Sequence, residues 1–189
     1  KQKWTNLEGA KAPFFMRLLF IFFLSSFAFG QGIPNEWLGS YEGVMEIYNN
    51  NGLQQKIGVN FDLQIMDRPN YWTYNMSYIN LKNDEISSAK AYKIYYVEET
   101  KKLWLDEGDS LLIEMTLLGN CFYDHFELSD MFFNSSLCKQ EENLLFEITG
   151  GQKKPTYISP YIKEAECSVE TLHFDFLQRV LLKPKKWSI

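Results

Sequence analysis

The chain has 189 residues and a formal net charge of −5 at pH 7. Its first 30 residues hold four of the 19 bases and one of the 24 acids, so the remaining 159 carry −8, with their bases scattered along the sequence. A surface of that sign repels phosphate backbones and anionic membrane surfaces, which excludes nucleic acid as the expected partner, and 159 residues suit one domain with a sizeable core.

Residues 1–15 precede Met16 and read as an upstream extension outside the mature protein. Residues 16–30 have the layout of a secretory signal peptide: a basic start at Arg17, an apolar run from Leu18 to Leu24, and small residues at Ala28 and Gly30, three and one positions before a cut. The apolar run is well short of the roughly 20 residues that a bilayer-spanning helix needs. The expected mature chain is therefore 31–189, secreted or periplasmic. The first Cys is Cys121, far from the cut, which argues against an acylated N-terminal anchor.

Beyond the cut, Pro34 to Leu38 can supply one helical turn. From Gln54 to Ile65 apolar and polar residues alternate, with Ile57, Val59, Phe61, Leu63 and Ile65 on one face, as in a half-buried antiparallel strand. The same period recurs at Trp72, Tyr74, Met76 and Tyr78; at Tyr92, Ile94 and Tyr96; at Leu111, Ile113, Met115 and Leu117; at Phe122, Phe126 and Leu128; and at Leu144, Phe146 and Ile148. Turn-forming runs separate these segments, among them Asn49-Asn-Asn-Gly52, Asp67-Arg-Pro-Asn70, Asp106-Glu-Gly-Asp109 and Gly150-Gly151. Ser129 to Asn134 reads as a second helical turn, Lys153 to Ile162 with its two prolines as an irregular loop, and Glu164 to Lys183 as two strands or one long bent strand. The expectation is an all-β fold, an antiparallel up-and-down barrel of 8–10 strands that removes its edges by closing, with a β-sandwich as the alternative.

The segment Trp37-Leu-Gly39-Ser-Tyr41-Glu-Gly43, followed by a strand from Val44 to Tyr48, resembles the first strand of calycin barrels, the group of lipocalins, fatty-acid-binding proteins and nitrobindin-like haem barrels. In that group a Gly-x-aromatic motif lays a ring across the closed end of the barrel, under a basic side chain from the last strand. The resemblance implies that Trp37, Gly39 and Tyr41 form this closure here, with Arg179 from Gln178-Arg-Val-Leu-Leu-Lys183 as the covering cation. Tyr stands where the group usually has Trp.

A barrel of this size commonly holds one small apolar ligand, in a cavity expected at about 300 Å³ or more. The 159 residues include 23 aromatics, and Trp72, Tyr74, Tyr78, Tyr92 and Tyr96 fall at period two on consecutive segments, where they would line a cavity wall or simply fill the core. The expected partner is a small apolar molecule or lipid, bound without catalysis. The alternatives are a ligand-free structural or interaction module of the cell envelope and, third, a haem barrel or an enzyme. No cofactor is expected. His173 lies near the C-terminus, where nitrobindin-like barrels carry their iron ligand, a positional likeness only; His125 is out of phase with Phe122 and Phe126 and faces outward. Asp124 and His125 suggest a triad on paper, yet no Gly-x-Ser-x-Gly elbow accompanies them. Asp106, Glu107 and Asp109 around Gly108 read as a solvated turn rather than a calcium loop. Of the three cysteines, Cys121 and Cys138 are the preferred disulfide, with three packed thiols as the alternative.

Overall fold

The period-two pattern becomes ten strands of one closed sheet in a computed structural model that describes residues 32–161 and 167–186. The upstream extension and the signal-peptide segment lie outside the described residues. After a 3₁₀ turn, Asn35–Trp37, the strands are β1 Gly39–Asn49, β2 Gly52–Leu63, β3 Tyr71–Ile79, β4 Ile86–Val97, β5 Lys102–Asp106, β6 Leu112–Leu118, β7 Cys121–Leu128, β8 Met131–Gln140, β9 Asn143–Gln152, β10 Tyr157–Ile158, β11 Glu170–Thr171 and β12 Phe176–Pro184. Each strand from β1 to β9 pairs with the next, and β12 fits between β9 and β1 to close an all-antiparallel barrel. Closure leaves no free edge in this sheet. The short β10 and β11 pair only with each other.

Alternation puts one residue in two inside. At the end where β1 begins and β2 finishes, Trp37, Tyr41, Met45, Phe61, Leu63, Phe122, Leu137, Leu144 and Leu182 are buried and pack the barrel solid. Removing such a side chain from water contributes roughly 1.5–3 kcal/mol each. Gly43 permits the β1–β12 seam, because a Cβ there would stand 2.5 Å from the Leu181 carbonyl oxygen. The disulfide joins Cys121 and Cys138, which face each other across β7 and β8; Cys167 is a free, exposed thiol.

Three local expectations are corrected. Ser129 to Asn134 is not a helical turn: Ser129 adopts φ 52° in a tight reversal, and Met131 already begins β8. The loop from Lys153 carries β10, which meets β11. Ile65 lies beyond the end of β2 and is exposed, joined to Trp72 by a single bridge. Phe132 is buried although it points out of the barrel, because the segment before β12 folds back over β8 and β9. There Phe174 meets the Phe132 ring edge-on at 5.3 Å, and the backbone N–H of Asp175 donates to the Gly150 carbonyl at 2.8 Å. No helix among the described residues is long and apolar enough to cross a membrane.

Candidate functional site

The register carries a belt of inward residues around the half of the barrel away from the 3₁₀ turn. Asp124 of β7 faces Ser135 of β8, Ser135 faces Ile148 of β9, and Ile148 faces Gln178 of β12; on the other side Tyr74 of β3 faces Tyr92 of β4. Around this belt lies a cavity of about 180 Å³, walled by Met76, Leu105, Ile113, Phe126, Phe146 and Ile148 and carrying the polar groups of Tyr74, Tyr78, Tyr92, Lys90, Glu107, Asp124, Ser135 and Gln178. The expected cavity of about 300 Å³ or more is therefore not met: the interior space is well under that size and is too small for a lipid. Three hollows of about 320–330 Å³ lie on the outer wall and rim, around His173, Phe174 and Arg179.

Of the five aromatics expected on the cavity wall, Tyr74, Tyr78 and Tyr92 line it. Trp72 and Tyr96 do not: Trp72 is buried in the core, its ring stacked under the backbone at Gly32, and Tyr96 packs against the core from the same end. The inner face of β3 runs from one end of the barrel to the other, so Trp72 joins the packed end while Tyr74, Met76 and Tyr78 of the same face line the cavity.

The cavity is apolar with a few concentrated charges. Burial raises the Asp124 carboxyl above the ordinary carboxylate range against the opposing effect of the Ser135 hydroxyl, which donates to Asp124 Oδ2 at 2.6 Å. Glu107 is raised as well, first by burial, with the nearby Asp124 charge adding to it and Tyr92 and Lys90 opposing. Burial and then Glu107 push the Tyr92 phenol up to about 12, while Tyr74 and Tyr78 are raised chiefly by burial. Tyr74 is 6% exposed, and its hydroxyl takes part in no hydrogen bond among the described residues. Lys90 is exposed at the rim, its Nζ 5.9 Å from the centre of the Tyr92 ring, and it forms no ion pair with either carboxylate.

Two of these groups were given other readings by the sequence. Glu107 follows β5 directly and turns inward although it sits in a run that reads as a solvated turn; Asp106 and Gly108 do make that turn, the Gly108 N–H donating to Asp106 Oδ1 at 2.9 Å. Asp124 and His125 are neighbours on one strand and point to opposite faces, so they cannot act as a pair. His125 Nδ1 lies 2.8 Å from Asn134 Oδ1 on the outside. His173 is also outside, its Nε2 3.1 Å from Asn50 Nδ2, so its ring does not reach the interior.

At the opposite end Trp37 and Tyr41 do lie in the core. Trp37 meets Phe122 edge-on at 4.9 Å, and the Tyr41 hydroxyl donates to the Trp37 carbonyl at 2.9 Å. Arg179 takes no part in this. It alternates with the inward Val180 and bonds Glu147 Oε1 at 2.5 Å on the outer surface. The cation near the Tyr41 ring is Lys139 from the end of β8, with Nζ 5.7 Å from the ring centre and its pKa lowered by burial. No family model and no curated protein matches this sequence.

Proposed function

We propose that this chain is an exported, calycin-like barrel that holds one small apolar or amphipathic molecule in the hollow half of its interior and catalyses no reaction. The observation that carries this reading is the 180 Å³ cavity, walled by aliphatic and aromatic side chains and fitted with a few polar groups that converge on it. Ligand sites are typically built in this way, and a cavity of about 150 Å³ lined by apolar residues accepts a single benzene ring. The volume therefore reduces the expected ligand from a lipid to a molecule of about one ring. The 3₁₀ turn before β1, with Tyr41 across that end and β12 closing the meander, supports the likeness to calycins. Export rests on the signal-like segment alone.

A second reading has an observation of its own: the solid packing around Met45, Phe61, Leu63, Leu144 and Leu182, each at 0% exposure, is what a ligand-free structural module requires. Methyl NMR separates the two. Neutral one-ring probes such as toluene and p-cresol should shift the Met76, Ile113 and Ile148 methyls saturably, and Ile148→Phe, which fills the cavity, should abolish the shifts. Shifts confined to residues of the outer grooves would favour the ligand-free barrel. N-terminal sequencing of the exported product, with Gln31 as the expected first residue, checks the address.

A further inference from the structure

The hollow half of the barrel is asymmetric in charge. It holds two carboxylates, Asp124 and Glu107, and one cation, Lys90, which stays at the rim unpaired with either. Asp124 uses Oδ2 to accept from the Ser135 hydroxyl, and the Ser135 backbone N–H also bears on the carboxylate, so its neutral donors all come from one residue and none is a cation. Across the belt stands the Tyr74 phenol, more than nine-tenths buried, lining the same cavity and without a hydrogen-bond partner among the described residues. No enclosed side-chain oxygen among the described residues is left unpaired, so the Tyr74 phenol and the Asp124 carboxylate face open cavity space, where the polar end of an entering molecule can reach them. Lys90 reaches neither carboxylate, so what they lack is a cationic donor in direct contact, which a carboxylate accepts in a charge-assisted hydrogen bond. The ring faces nearby, Tyr74, Tyr92 and Phe126, add a surface that favours cations through their quadrupoles.

We propose that the interior site selects a small primary ammonium carried on one ring-sized apolar group, with the nitrogen donating to Asp124 and the Tyr74 hydroxyl and paired with Glu107, and the apolar part lying against Ile113, Phe126 and Ile148. A neutral molecule of the same shape leaves both carboxylates without a counter-charge, and an acid meets them with like charge. This inference rests on the reading of the interior as a ligand site and deepens it.

The test compares three probes of nearly equal size on the full exported chain at neutral pH: 2-phenylethylamine, 2-phenylethanol and phenylacetate. Binding is read from the methyl resonances of Met76, Ile113 and Ile148. The amine should bind at least tenfold more tightly than the alcohol, and the acid least. In Asp124→Asn, which keeps the side chain's shape and an acceptor for Ser135, the preference of amine over alcohol should fall to about threefold or less. Glu107→Gln should reduce the preference in the same direction. If the alcohol or the acid binds as tightly as the amine, or if Asp124→Asn leaves the preference intact, the ammonium inference is overturned and the interior site stands. If none of the three probes moves the interior methyls, the interior site itself is refuted, and the ammonium inference with it.

Discussion

Replacing Cys121 and Cys138 together by alanine, in a Cys167→Ser background that prevents exchange with the free thiol, removes a cross-link between residues 17 apart in sequence. The folded barrel keeps the β7–β8 ladder without it, since eight residue pairs hold that ladder from Cys121↔Cys138 to Leu128↔Met131. The loss therefore falls mainly on the unfolded chain, which gains the freedom that the closed loop had denied it. For a loop of this length the chain-entropy relation gives about 3 kcal/mol. A domain of roughly 150 residues shifts its melting temperature by about 2–4 °C per kcal/mol, so the double variant should melt about 6–12 °C below its Cys167→Ser parent. Circular dichroism melts without reductant measure this, and adding a phosphine reductant to the parent should reproduce most of the shift. A difference under about 2 °C would refute the reasoning: it would mean that the hairpin persists in the denatured chain, or that the cross-link does not form. Alkylation under denaturing, non-reducing conditions should label Cys167 alone in the unmodified sequence.

Three further perturbations separate the parts of the barrel. Phe61→Ala, at a fully buried ring 4.8 Å edge-on from Tyr74, should cost about 3–5 kcal/mol in urea unfolding; a cost under about 1 kcal/mol would mean that the packed end is loose. Arg179→Ala, which removes only an exposed ion pair with Glu147, should cost less than about 1 kcal/mol, and a larger loss would restore Arg179 to the barrel closure. Asp124 carries one component of the pH dependence, beside Glu107, whose carboxyl is raised by burial as well. The folded pKa of Asp124 is raised, so on passing from its unfolded value near 4 up through the folded value the native state holds a proton that the unfolded state has released, and stability falls as pH rises. Asp124→Asn should remove this component, so urea midpoints from about pH 4 to about pH 7 should rise for the variant relative to the parent; parallel profiles would contradict it.

Much of this architecture could be read from residue order, because a strand buried on one face repeats at two whatever its neighbours do. The alternation from Ile57 to Leu63 becomes the inner face of β2 without change. Phase carried more than was taken from it. Counting by two from Val180 and Leu182 already places Arg179 outside, and counting from Phe122 and Phe126 already places Asp124 inside. The motif likeness drew Arg179 toward the ring, and His125 drew Asp124 toward a triad. Other features had no local signal. Met131 to Gln140 shows no clean alternation, since its outward Phe132 is covered by Phe174 from over forty positions away and its inward Ser135 is polar. Glu107 sits in a run whose composition demands a turn, and only the end of β5 decides that its side chain goes inside. Lys139 reaches Tyr41 through pairings of β8 that no local pattern announces.

The solid end and the hollow end differ in what sequence change would do to them. A substitution near Met45 or Leu144 is felt by folding itself, while one at Asp124, Ser135 or Gln178 faces open volume and leaves the supporting contacts in place. The two sets of positions overlap only in part: Tyr74, Met76, Leu105, Ile113 and Phe146 belong to the core and line the cavity as well, while Asp124, Ser135 and Gln178 line the cavity alone. The polar arc from Asp124 through Ser135 to Gln178 is therefore where the interior can change its chemistry while the other end continues to specify the barrel.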